Sequence, residues 1–326
     1  MMKKLAIAII ALGLAWSVFW AVQAHDLRRD TVAWFEDRRA EGWHAEYDDL
    51  TLRGFPNRLD LSFSDLSLAD TGSGLAWEMP FFQLLRLSYR PDHLIAVWPD
   101  EQVIASPGDK HMLRSEDMRA SLVLGDGAHD PLERTNLVIT EAALSDDAGR
   151  TMRADNVNLA IRHETGQSYR LAVTTEGFAP AALPATGLPN RFTTLRADLT
   201  ATFDRPWDAR ALTVARPQPT RINLRLAEVK WGDLELHAAG ELEIDSAGTP
   251  SGRITVRARN WREIVALART SGRLPETVLD TVEQGLDLLS GLSGNGRMLD
   301  IPLTFRGGQI RIGPVPIAKA PTLRLR

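Results

Sequence analysis

From Leu5 to Ala24 the chain carries no Lys, Arg, Asp or Glu, and Lys3 and Lys4 stand just ahead of this run. An α-helix of about 20 residues rises about 30 Å, the depth of a bilayer's hydrocarbon core, so the pattern predicts a membrane-spanning helix. Trp16, Phe19 and Trp20 near its far end suit the interface, where amphipathic rings settle. Val22-Gln23-Ala24 has the small residues of a signal-peptide cleavage site, but cleavable signals have shorter apolar regions of about 7–15 residues, so residues 1–24 are expected to be an uncleaved anchor. Residues 25–42 follow as a juxtamembrane helix, with Leu27, Val32, Trp34 and Phe35 set among charges and Gly42 ending it.

From Trp43 the period changes from helical to two. Leu50 and Leu52, then Leu59, Leu61 and Phe63, alternate with polar residues, and Gly54-Phe55-Pro56-Asn57 separates the two runs as a turn. At Ser64-Asp65 the phase slips, so that Leu66 and Leu68 fall out of step with Phe63; a bulge or tight turn is expected there. The alternation recurs at Leu85, Leu87 and Tyr89, at Val157, Leu159 and Ile161, at Leu171 and Val173, and at Leu195, Leu199 and Phe203. It is clearest from Arg221 to Arg259. There Ile222, Leu224 and Leu226, then Leu234, Leu236, Leu242 and Ile244, then Ile254 and Val256 are joined by short turns. Such turns leave no room for crossover helices and predict an antiparallel meander. Trp261 to Ala268 and Pro275 to Leu289 depart from this pattern, with apolar residues three and four apart, and are expected to be amphipathic helices.

The expected fold is therefore mainly β. An N-terminal transmembrane helix leads into a long curved antiparallel β-sheet, half-barrel or groove-like, with short amphipathic helices near the C-terminus. The expected divisions are a first β-rich half at 43–178, a Pro-rich linker or loop at 179–190, and a second β-rich half at 191–326 with helices near 261–289.

Composition narrows the chemistry. With 44% hydrophobic residues and a net charge of −4 in 326 residues, the chain can bury a core and is not a disordered polypeptide. The absence of Cys excludes disulfides, thiolate metal sites and cysteine nucleophiles. The 38 basic residues against 42 acidic ones lack the excess that nucleic-acid binding requires. Lys occurs at 3, 4, 110, 230 and 319, never after Gly, so there is no phosphate-binding loop. Gly291-Leu292-Ser293-Gly294 misses the serine-hydrolase elbow by one place and reads as a helix C-cap.

The seven His (25, 44, 93, 111, 129, 163 and 237) stand apart, so no metal or cofactor is expected. Asp48-Asp49 and Asp146-Asp147 could supply the two carboxylates of a glycosidase. Neighbours on a strand point to opposite faces, however, and Asp146-Asp147-Ala148-Gly149 has turn composition. Trp77, Phe81, Phe82 and Trp98 could form a sugar or lipid platform, with core packing the plainer reading. No catalytic residue is assigned. What remains is the apolar face of the sheet, and Leu50, Leu61, Phe63, Ile222, Leu224, Leu234 and Leu236 are the candidate ligand-contacting residues on it.

Both ends of the chain resemble a known family. Gly42-Trp43, the turn Gly54-Phe55-Pro56-Asn57-Arg58, Asp65-Leu66-Ser67-Leu68 and the closing run from Ile301 to Ile317 are similar to domain of unknown function 2125, an uncharacterised alphaproteobacterial envelope family. More distantly the layout resembles the AsmA-like envelope proteins, anchored at the inner membrane and built of strands curled into an apolar groove. The resemblance implies a part in envelope lipid homeostasis or transport. The chain is too short to bridge a periplasm as long members are thought to do, which leaves a short groove or an accessory role.

The reading is thus a non-enzymatic protein of the bacterial inner membrane, held by residues 5–24, with its N-terminus cytoplasmic and its bulk periplasmic. Lys3 and Lys4 favour that orientation, while Arg28 and Arg29, interleaved with Asp26 and Asp30, pull against it. The expected partners are the inner membrane, a phospholipid or acyl chain, and another envelope protein, with no nucleic acid. A scaffold without a ligand groove is the alternative, and a periplasmic carbohydrate-active enzyme is a third.

Overall fold

The structure is a computed structural model and describes residues 1–126, 130–182, 188–213, 215–270, 275–293 and 298–325. Gly127 of an expected turn, His129, part of the expected 179–190 linker and Gly294 lie outside the described residues. The strands form one large antiparallel sheet. The chain divides into two compact units, residues 1–123 with 139–151, and residues 124–138 with 152–326.

In the first unit, α1 (Met2–Ala40) runs unbroken through both the charge-free segment and its amphipathic continuation. It stops where Gly42, at φ +88°, leaves the helix. Strands β1 (His44–Glu46), β2 (Asp49–Arg53), β3 (Arg58–Asp70), β4 (Leu75–Leu87), β5 (Arg90–Val97), β6 (Glu101–Ser106), β7 (Asp109–Arg114) and β8 (Asp117–Leu124) follow, and β9 (Leu132–Asp146) is divided between the units. Leu50 stands opposite Phe63 and Leu52 opposite Leu61, which places the alternating apolar set of β2 and β3 on one face. Phe35 of α1 closes that face, its ring 4.8 Å from Tyr47 and 5.5 Å from Phe63. Leu50, Leu61, Phe63, Leu66 and Met79 complete the core.

The phase slip after Phe63 is present, but no residue is inserted. Ser64 pairs with Phe81 and Leu66 with Met79, so the register holds. Asp65 adopts φ +47°, a conformation that Asp tolerates, and turns the chain so that Phe63 and Leu66 are both buried.

In the second unit β10 (Thr151–Thr165), β11 (Ser168–Phe178), β12 (Phe192–Phe203), β13 (Pro219–Trp231), β14 (Leu234–Ile244), β15 (Pro250–Arg259), β16 (Met298–Arg306), β17 (Gln309–Ile312) and β18 (Val315–Lys319) each pair antiparallel with the next. A single helical turn, α2 (Arg210–Thr213), follows β12. The helices expected from three-and-four spacing are α3 (Trp261–Thr270) and α4 (Glu276–Ser293). Their Trp261, Val265 and Leu286 pack on Leu236, Ala258, Leu299 and Ile301 of the sheet.

Register assigns the two faces. Tyr169, Ala201, Ile222 and Leu242 form one cross-strand row, and Ile161, Leu171, Leu199 and Leu224 the next. A bulge then sets Arg225 and Leu226 against Ala239, so Leu226, expected to extend the alternation of Ile222 and Leu224, is turned to the other face.

That other face is laced by charge. Arg170 grips Asp198 through two hydrogen bonds of 2.9 and 2.6 Å, Arg225 meets Glu164 at 3.1 Å, and Arg257 meets Asp300 at 2.7 Å. The Arg170 hydrogen bonds hold the Asp198 carboxyl below its usual range. A depressed folded-state pKa contributes stability above the unfolded value of about 3.9 and loses it as pH falls through the folded value. Asp198→Asn should therefore be less stable than the wild type at pH 7, with the difference closing below about pH 4. Denaturation midpoints of both proteins measured across that range check the sign.

Candidate functional site

The apolar face of the second unit deepens into a cavity of about 640 Å³ near the ends of β10–β13. Ile161, Leu171, Leu199, Ala201 and Ile222 form its floor because each occupies an alternate position of a paired strand. Phe203 and Trp207 wall it, their rings 5.6 Å apart and nearly perpendicular. Tyr169, only 1% exposed, lies against them, and its hydroxyl accepts the Trp207 backbone N–H at 3.1 Å. Burial pushes the Tyr169 phenol up, so it stays protonated and can donate.

The segment Thr322–Leu325 borders the cavity as a strap. The Gln218 carboxamide fixes it through both backbone groups of one residue, donating to the Leu325 carbonyl at 2.9 Å and accepting the Leu325 N–H at 3.0 Å. Leu323 N–H adds a bond to the Gly248 carbonyl. Ligand pockets of about 300–1,000 Å³ with apolar walls and a few placed polar groups hold small molecules, and this cavity falls in that class.

The residues expected on the sheet face are distributed over different settings. Ile222 lines the cavity, and Leu224, half-buried, stands across from Leu199 on the same face. Leu236 is packed against the cluster beneath α3 and α4, and Leu234 is buried on the same side of β14. Leu50, Leu61 and Phe63 are core of the first unit, at 3%, 2% and 4% exposure. Leu61 and Phe63 also border a second hollow of about 420 Å³ between α1 and the sheet, with Trp34, Leu68 and Phe82. Tyr169, Trp207 and the strap escaped the sequence reading. Tyr169 precedes Leu171 by two residues and could have been added to its run, whereas Trp207 and Thr322–Leu325 carry no periodic signal.

The other candidates resolve into structure. Trp98 stacks on Trp77 at 6.1 Å and meets Phe82 at a tilt at 5.3 Å, all three pack against the first unit's core, and Phe81 points to the opposite side, 39% exposed. Asp146 accepts the backbone N–H groups of Ala148 and Arg150, which makes it the organiser of a turn. Glu228, Glu235 and His237 converge across the β13–β14 hairpin, their ligand atoms within 4.8 Å of one another. Lys230 lies 2.7 Å from Glu228 and Arg259 lies 3.7 Å from Glu235, so cations of the chain already neutralise the carboxylates. Lys230, hydrogen-bonded to Glu228, holds that carboxyl below its ordinary range.

The profile of a protein family described as an uncharacterized protein conserved in bacteria (DUF2125) matches residues 20–321. No curated protein and no solved structure matches the chain.

Proposed function

The chain belongs to the bacterial DUF2125 family, and from that premise we propose that it is a membrane-anchored, non-enzymatic lipid-binding protein that holds an acyl chain in the cavity beside Tyr169. The observation that carries this reading is the cavity of about 640 Å³ opening on a continuous apolar sheet face. Apolar walls take up a hydrocarbon chain at about 25 cal/mol per Å² removed from water. Arg324, exposed at the border, supplies a cation for a carboxylate or phosphate head.

The candidate membrane helix near the N-terminus tethers the binder to a bilayer, the source of such ligands. Lys3 and Lys4 ahead of it favour a cytoplasmic N-terminus and an inner-membrane protein whose bulk lies in the periplasm, with a part in envelope lipid homeostasis.

The test uses the full chain in detergent and a phospholipid bearing a photoactivatable acyl chain. Adducts should map to residues 169–171 or 199–203. Ala201 is 4% exposed on the cavity floor, and Ala201→Trp should lower adduct yield at least about tenfold, equivalent to roughly 1.4 kcal/mol. Wild-type protein that carries no co-extracted lipid in native mass spectrometry and gives no adduct overturns the reading in favour of a scaffold.

A further inference from the structure

The end of the first unit where α1 enters its apolar stretch carries an unexplained group of exposed rings and arginines. The Trp16 indole N–H donates to the Pro56 carbonyl at 2.9 Å, and the Trp20 indole to the Arg58 carbonyl at 2.7 Å. Phe55 sets its ring edge-on to Trp20 at 5.4 Å and remains 57% exposed. The β4–β5 turn lies alongside, because Ser88 N–H donates to the Asn57 carbonyl at 2.8 Å and Leu87 pairs with Arg58. Tyr89 in that turn is also 57% exposed. Arg53, Arg58 and Arg90 are exposed around these rings. Among them Arg58 pairs with Asp60, and Arg53 and Arg58 border a polar hollow of about 450 Å³.

The position of these contacts along α1 is what gives them meaning. Trp16 lies eight residues short of Ala24, the last residue of the charge-free run, or about 12 Å along the helix axis. A bilayer that enclosed the whole run would therefore also enclose the 54–57 loop. From Lys4 to Trp20 the helix rises about 24 Å, so with Lys4 at one boundary of a core of about 30 Å, Trp20 lies within about 6 Å of the other, the depth to which interfacial apolar groups reach. We infer that the 54–57 loop and the 87–90 turn form a second membrane contact, with Phe55 and Tyr89 set among the lipid headgroups and Arg53, Arg58 and Arg90 facing lipid phosphates. Amphipathic aromatic rings settle at the headgroup level, and surface arginines gain from anionic lipid. Gly54 shapes the loop: at φ +108° a Cβ there would stand 2.7 Å from Arg58 Cβ.

The inference rests on α1 being a membrane anchor, and its test separates the two. The chain has no Cys, so single replacements Leu12→Cys, Phe55→Cys, Tyr89→Cys and Ser73→Cys each give one site for an environment-sensitive fluorophore. Ser73 is exposed in the β3–β4 turn, at the far end of β3 from Arg58. Each full-length variant is reconstituted into phosphatidylethanolamine and phosphatidylglycerol vesicles containing nitroxide lipids. Positions 55 and 89 should be quenched several-fold more than position 73. Quenching at position 12 with none at 55 and 89, or equal quenching at 73, overturns the second contact and leaves the anchor standing. Absence of quenching at position 12 overturns the anchor and the inference together.

Discussion

Phe63→Ala is expected to destabilise the first unit by about 3–5 kcal/mol, the range for emptying a phenylalanine site in a packed core. Phe63 is 4% exposed and is the hub of an aromatic cluster, with Phe35, Tyr47 and Phe82 centred 5.5, 5.6 and 6.3 Å away. Phe35 is the buried residue of α1, so the ring of Phe63 is where the helix makes its buried apolar contact with the sheet. The site cannot collapse easily, because the hollow of about 420 Å³ already lies beside it and truncation would enlarge that space. Phe63→Leu retains most of the volume and should cost less than about 1.5 kcal/mol. Denaturant unfolding of the full chain in mild detergent, followed by tryptophan fluorescence from Trp34, Trp77 and Trp98 in the same unit, measures both. A loss below about 1 kcal/mol for the alanine variant would mean that α1 is held mainly by its hydrogen bonds, such as Arg28 to the Leu50 carbonyl and Arg39 to the Ala45 carbonyl.

Much of this architecture is local and therefore legible in the sequence. The charge-free run, the alternation through β2, β3 and β13–β15, and the three-and-four spacing of α3 and α4 each report one element's own period. Two departures arise from backbone conformations with no periodic signature. Asp65 changes the phase of β3 by its positive φ without shifting register, and the Arg225-Leu226 bulge turns β13. The cavity was less legible still, since its members meet only through pairing. The Tyr169 hydroxyl reaches Trp207 across 38 positions, and Gln218 reaches Leu325 across 107. Glu228 and His237 likewise become neighbours through the register of a hairpin. Leu50, Leu61 and Phe63 show the limit of alternation from the other side. Even spacing marks an apolar face, and it does not say whether a helix such as α1 covers that face.

Trp261→Ala is expected to cost the second unit a similar 3–5 kcal/mol, whereas Trp261→Phe should cost far less. Trp261 is 1% exposed and begins α3 directly after Asn260, whose backbone is at φ +55° and whose side chain donates to the Asp233 carbonyl at 3.1 Å. That hydrogen bond ties the start of α3 to the β13–β14 turn and aims the indole at Ala258, Leu286 and Leu299. The Trp261 indole N–H finds no hydrogen-bond partner among the described residues. A buried donor without a partner contributes nothing favourable, so the stabilisation comes from the ring's volume and contacts. Phenylalanine keeps most of the volume and removes the orphaned donor, which offsets part of the packing loss. The Arg262 guanidinium, 4.3 Å from the indole centroid, loses some cation–π attraction in that variant, about 0.5–1 kcal/mol at an exposed position. If Trp261→Phe proves as damaging as Trp261→Ala in equilibrium unfolding, the indole N–H has a partner in solution and the packing account of α3 fails. If only the alanine variant unfolds early, the helix pair is held to the sheet by the shape of one side chain.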